Sequence, residues 1–243
     1  MKLSLFKIAK QNLVIDYNHS RISYLWIPVS FIILVFAKGF FLGDILGMDS
    51  NFILYLCIGI WIWNYIALSV PSYGDVLFNN HLVLNININP HDILTILHLR
   101  LLITFMMNFV VLFIFLLFFD VKFNPIAFVL SCLTLILLVH QIGKLLSIIS
   151  FYIRDVTQFI NSMMIVLFFL SPIFWYPQQI SSTKVFLLQF NPIFHILNIF
   201  RDAIILGSYN QLSFMVCMGL IVVFYFINYF FVNKKISYCA NQI

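Results

Sequence analysis

The sequence predicts an all-α membrane protein, and three observations carry that prediction. Hydrophobic residues make up 63% of the 243 positions and charged residues only 9%. A water-soluble domain carries about 25% charged residues, so this chain lacks the charge to cover a surface in water. The mean hydropathy is +1.05. Six apolar stretches, 22–42, 51–72, 99–119, 125–147, 157–175 and 212–232, match the roughly 20 residues that a helix needs to cross hydrocarbon. Helices are expected because an open strand leaves backbone groups unpaired in lipid. The ten-residue alternation of a barrel strand is missing. Residues 1–243 read as a single transmembrane domain, with no cleavable signal peptide because residues 1–21 are too polar for an apolar core segment.

Orientation follows from Lys and Arg. With both termini in the cytoplasm, the inner side holds Lys2, Lys7, Lys10, Arg21, Arg100, Lys144, Arg154, Lys234 and Lys235. The outer side then holds Lys38, Lys122, Lys184 and Arg201. Residues 1–21 precede the first span. Leu3, Phe6, Ala9, Leu13 and Tyr17 share one helical face there, which predicts an interfacial helix along the inner leaflet. A frayed basic tail drawn to anionic headgroups is the alternative.

The inner segment 73–98 is long enough for a short helix of its own. Asn79 and Asn80 read as a start, Leu82 and Leu84 as part of an apolar ridge, and Pro90 as a break before the next helix. An amphipathic loop on the headgroups would also fit. The region 172–211 holds Pro172, Pro177 and Pro192 and two apolar runs, 185–190 and 193–206, too short or too polar to cross. Two short re-entrant outer helices suit it, with Asn191-Pro192 as the turn between them. Re-entrant backbone is tolerated only inside protein or beside a wet cavity. The competing reading is a surface domain on the outer headgroups.

Catalytic signatures are missing. Gly143-Lys144 lacks the upstream glycine of a phosphate-cradling loop. The six histidines show no metal-ligand spacing, GxSxG is absent, and all eight acidic residues are aspartates at span ends or in loops. His140 lies well inside a span, as a functional or a packing histidine. The four cysteines are scattered and form no CxxC, as buried small hydrophobes do. Energy for transport is therefore expected from another polypeptide, with 73–98 as its docking surface. Aromatics are abundant, with 29 Phe, 11 Tyr and 4 Trp. Trp61, Trp63 and Tyr65 in the second span, with Phe174, Trp175 and Tyr176 at the outer end of the fifth, are candidates for a sugar-stacking pore. Packing against lipid or core is the alternative for each, and coding bias for the bulk count.

Phe151-Tyr152-Ile153-Arg154-Asp155-Val156, Ser171-Pro172-Ile173, Tyr176-Pro177, Asn191-Pro192 and Phe200-Arg201 occur in that order. The series resembles type-2 ABC exporter permeases, and more narrowly the branch that exports O-antigen, capsule or teichoic acid. The resemblance implies a homodimer with two ABC ATPase subunits and a lipid-linked glycan as cargo. It implies no cofactor in this chain, ATP and Mg being held by the partner, and a site in the bacterial cytoplasmic (inner) membrane. Asn79, Asn80, His81, Leu82, Leu84, Asn87 and Pro90 match the coupling helix, although Asn85, Asn87 and Asn89 stand where relatives often carry Lys or Arg. Arg154 and Asp155, with Arg21, would form the cytoplasmic entrance for the cargo headgroup, or only a boundary ion pair. Pro172, Pro177, Asn191, Pro192 and Arg201 match the outer gate. A same-fold exporter of a drug or lipid is the first alternative. A membrane enzyme acting on polyprenyl-linked sugars is the second, with His91-Asp92 as its nearest motif.

Overall fold

The computed structural model describes residues 4–16, 22–46, 51–77, 89–179 and 186–232. Helices α1 (Leu5–Asp16), α2 (Trp26–Leu46), α3 (Asn51–Val76), α4 (Pro90–Leu116) and α5 (Pro125–Tyr152) come first. They are followed by α6 (Asp155–Leu170), α7 (Pro192–Arg201) and α8 (Gln211–Ile227). No strand occurs among the described residues.

The helix starts are written locally. α4, α5 and α7 each begin with Asn-Pro, at Asn89-Pro90, Asn124-Pro125 and Asn191-Pro192. The Asn side chain accepts a hydrogen bond from an orphan backbone N–H, and proline fits the first helical position because no intrahelical partner awaits its nitrogen. Asn124 Oδ1 accepts from Ala127 N at 3.1 Å, and Asn191 Oδ1 from Ile193 N at 2.9 Å. Asn210 caps α8 in the same way, through Ser213 N at 2.9 Å.

α3 is the axis of the bundle. It packs against α2, α4, α5, α6 and α7 and buries residues on every side. Trp61 sits at the core's centre. Its indole stacks on Phe105 at 4.4 Å and Phe128 at 6.1 Å, and meets Phe200 edge-on at 5.5 Å. The outer faces are apolar: Ile33, Phe36, Phe113, Leu133, Met215 and Phe230 are all exposed. In water such a surface would aggregate; in a bilayer it faces lipid.

Among the described residues, four helical stretches are long and apolar enough to cross a membrane: Asn51–Val76, Pro90–Leu116, Pro125–Tyr152 and Gln211–Val232. The last runs α8 on through a π-helical turn, Asn228–Val232. Two shorter apolar stretches, Trp26–Ala37 and Asp155–Leu170, fall where the first and fifth spans were expected. The 16 residues of α6 extend about 24 Å at 1.5 Å each, short of a ~30 Å hydrocarbon core.

Several expected boundaries move. The third span starts nine residues early, at Pro90, because the Asn89 cap and Pro90 open a helix there. Segment 73–98 therefore divides: 73–76 close α3 and 90–98 open α4. The fifth span ends at Leu170 rather than 175, since Ser171 is extended. α1 forms over 5–16 and packs against α4. Ala9 and Leu13 are its buried positions, while Phe6, expected on the same face, is mostly exposed.

Candidate functional site

The chain after α6 folds back on the bundle, and one cation fastens it. Arg201, the last residue of α7, is only 5% exposed. Its Nη1 donates to the carbonyl of Pro172 at 2.8 Å. Its Nη2 donates to the carbonyls of Ile173 and Tyr55, each at 3.3 Å. Its guanidinium carbon lies 3.4 Å from the centroid of the Tyr55 ring. The Tyr55 hydroxyl in turn donates to the carbonyls of Pro172 and Trp175, at 3.2 and 3.3 Å.

The chemistry follows from where α6 stops. A helix end leaves carbonyls without intrahelical donors, and an irregular run adds more. Buried, each needs a partner. The planar fork of arginine serves several at once and stacks on an aromatic face, which a lysine cannot reproduce. Space for it comes from Gly59 on α3, one turn after Tyr55. A Cβ there would lie 2.7 Å from Nη2.

Asn191 makes the second fastening. Besides capping α7, its Nδ2 donates to Ser171 Oγ at 3.0 Å and approaches the Leu170 carbonyl at 3.5 Å. One side chain thus starts α7 and ties it to the end of α6. His195 completes the arrangement. Its Nε2 lies 2.8 Å from the Gln189 carbonyl, which can only accept, so Nε2 carries the proton and Nδ1 accepts from Ser213 Oγ at 3.1 Å. On the other flank, Asn124 N donates to the Ala203 carbonyl at 2.9 Å, and Asn124 Nδ2 to Gly207 at 3.2 Å. Gly207 holds φ +66°, which closes the π-helical turn Asp202–Leu206.

An apolar groove of about 890 Å³ opens between the end of α6 and the start of α7. Phe169, Phe174, Trp175, Leu187 and Phe190 supply its faces, and Asn191 its amide.

At the opposite end, α3 and α4 flank residues 78–88. Tyr73 of α3 is fully buried there. Its hydroxyl lies 2.9 Å from Nδ1 of His98 on α4 and 2.9 Å from Nδ1 of His140 on α5. The two imidazole rings are 4.4 Å apart. Gly143 allows this approach: a Cβ at that position would clash with the Tyr73 ring.

The sequence-predicted residues separate into groups. Pro172, Asn191, Pro192 and Arg201 come together at the fold-back, and Pro177 opens a 3-10 turn just beyond. Arg154 and Asp155 are exposed at the start of α6, where Arg154 takes the N-cap position without a side-chain cap bond. Pro90 caps α4. Asn79, Asn80, His81, Leu82, Leu84, Asn87 and Arg21 lie outside the described residues. The aromatic candidates are dispersed. Trp61 and Tyr65 are buried in the core, and Tyr176 leans on Tyr55 at 4.5 Å. Trp63 is half-buried against Phe168 at 5.4 Å, and Phe174 and Trp175 line the groove. Sequence reasoning missed Tyr55, Gly59, Tyr73 and His98. The Tyr55-Gly59 spacing of one helical turn was the available signal for the first pair.

Four membrane-length helices among the described residues, an apolar exterior and a helical fold-back define a multi-pass membrane protein. The family model described as ABC-2 type transporter matches residues 5–205. The chain belongs to that family, whose members are transporter membrane subunits, not enzymes, that normally work with an ATPase partner. No curated protein matches the sequence.

Proposed function

We propose that this chain is the membrane subunit of an ATP-driven exporter that moves lipid-linked polysaccharide across the bacterial cytoplasmic membrane. Two copies form a homodimer, each with a separate ATPase subunit that holds ATP and Mg. Six spans cross the membrane, with α2 and α6 completing the four longer ones and both termini in the cytoplasm. Segment 73–98 docks on the ATPase, through the residues from Asn79 to Pro90. Exposed Arg154 and Asp155, with Arg21, meet the diphosphate of the cargo, since arginine suits phosphate and an aspartate favours a helix N-terminus. The fold-back from Pro172 to Arg201 re-enters the membrane as the outer gate.

The observation that supports this reading best is the fold-back. α6 stops short of a full crossing, and α7 returns over an aromatic groove. Aromatic faces stack on sugar rings, and Phe174 and Trp175 have the exposure for that task; Trp61 and Tyr65 serve the core. The nearly all-apolar lining of the same groove favours one second reading, in which the cargo is a lipid or a drug.

The decisive experiment is co-purification of the chain with its genomically adjacent ATPase, followed by deletion of its gene. Loss of surface glycan with nucleotide hydrolysis by the purified pair supports glycan export. Unchanged glycan with altered lipid or drug efflux selects the second reading, and a chain that transports without a hydrolysing partner overturns both.

A further inference from the structure

The geometry points to the Tyr73 hydroxyl, shared by His98 and His140, as a positioning junction that makes α3, α4 and α5 move as one body when the ATPase drives the transporter. This inference rests on the family's ATP-driven transport and not on the glycan cargo.

Tyr73 lies three residues before the end of α3, and His98 eight residues into α4. These helices lead into and out of 78–88. The third partner, His140, belongs to α5, which shares no short connection with α3. α4 joins α5 through residues 117–124, at the far end of both helices, so at the end next to 78–88 displacement passes from α3 and α4 to α5 through packing and side-chain bonds.

The hydroxyl has one proton for two nitrogens. It donates to one Nδ1 and accepts from the Nδ1–H of the other, so the two rings carry opposite tautomers. Each bond holds only within about 0.5 Å of its length, so three helices are pinned at one point. Packing alone does not explain the arrangement. A phenyl ring would fill the same space over Gly143, and apolar replacements of buried polar clusters are commonly neutral or stabilising. The hydroxyl and the imidazoles add defined bonds between helices. Lys144, one turn further along α5, acts electrostatically on both rings, and any His140 variant is read with that charge in place.

The test uses the complex of this chain with its ATPase in lipid nanodiscs, in a cysteine-free background. Spin labels at Asp75→Cys on α3 and Ile153→Cys beyond α5, both at exposed positions, report the distance between the helix ends. The wild-type chain should keep one narrow distance before and after addition of ATP with vanadate. Tyr73→Phe should keep it without nucleotide but split it into two populations with nucleotide, while ATP hydrolysis stays within about twofold. His140→Asn, which keeps a nitrogen near the Nδ1 position, should behave as wild type, and His140→Leu as Tyr73→Phe. The two His140 variants carry the test alone if Tyr73→Phe fails to assemble. A single distance in both states for Tyr73→Phe or His140→Leu overturns the junction, as does a His140→Asn chain that splits like His140→Leu. A wild-type complex that hydrolyses ATP and exports no glycan removes the cargo reading and leaves the junction standing.

Discussion

The guanidinium of Arg201 lies on the face of Tyr55, 3.4 Å from the ring centroid, although 146 residues separate the two. The stack joins the end of α7 to α3 and holds the broken backbone after α6 between them. A desolvated cation–aromatic contact contributes about 2 kcal/mol, and each charge-assisted hydrogen bond about 1.5–3. Arg201→Met removes the contact, strands the Ile173 carbonyl and leaves the Pro172 carbonyl only the Tyr55 hydroxyl, and should cost about 3–5 kcal/mol. Arg201→Lys should restore little, since an ammonium lacks the planar fork and the face that stacks on Tyr55. Thermal unfolding of the purified chain in detergent checks both; an Arg201→Met protein that melts with the wild type contradicts the clamp.

Asn191→Ala breaks the cap of α7 and its tie to Ser171. The expected loss is about 1–2 kcal/mol from the cap alone. Asn191→Asp keeps the accepting oxygen and loses the donating Nδ2, so it should fall between Ala and wild type. Limited proteolysis of the fold-back, followed by mass spectrometry, reads the opening directly.

Two glycines separate close packing from open space. A Cβ at Gly143 collides with the Tyr73 ring, whereas one at Gly219 meets nothing within 4 Å. Gly143→Ala should destabilise by about 1–3 kcal/mol through overpacking. Gly219→Ala should stabilise α8 by up to about 1 kcal/mol through helix propensity. Size-exclusion profiles of heated samples distinguish the two without any transport assay.

The tryptophans divide by burial. Trp61→Ala should cost about 3–5 kcal/mol, because the indole is the centre of the core. Trp175→Ala, at the groove, should leave folding within about 1 kcal/mol of wild type, since that ring is partly exposed and its neighbours remain. Export that drops for Trp175→Ala in a stable protein would support a cargo contact; unchanged export removes Trp175 from the path.

Arg154→Ala tests the entrance. Arg154 is exposed, so the fold should tolerate the change. Surface glycan, measured beside the amount of assembled complex, should fall with assembly unchanged. Full export from this variant would reduce Arg154 to a boundary residue.

Local chemistry was legible where it acted locally. The Asn-Pro dipeptides fix the starts of α4, α5 and α7 because cap and proline act within one turn, and the sequence reading used only the proline at 90 and the pair at 191–192. The end of α6 was misplaced by five residues because hydropathy continues through Ile173, Phe174 and Trp175 after the backbone has left the helix. Arg201 illustrates the larger gap. As a charged residue inside the apolar run 193–206 it reads only as an outer-side residue that matches the gate. Its burial depends on carbonyls freed 28 and 29 residues earlier and on a glycine in a different helix. Trp61 and Trp63 are two positions apart on one helix, and only the neighbours of α3 make one a core residue and leave the other half-buried against Phe168.

Apolar composition and the length of the apolar runs determined by themselves that this chain is helical and lives in a bilayer, because backbone groups in lipid must be paired within a segment. The order of its motifs placed it in a transporter family. Tertiary structure alone decided which polar side chains join the helices. The fork of Arg201 and the shared hydroxyl of Tyr73 find their partners on different helices, and such partners are set by how the bundle closes, not by spacing along the chain.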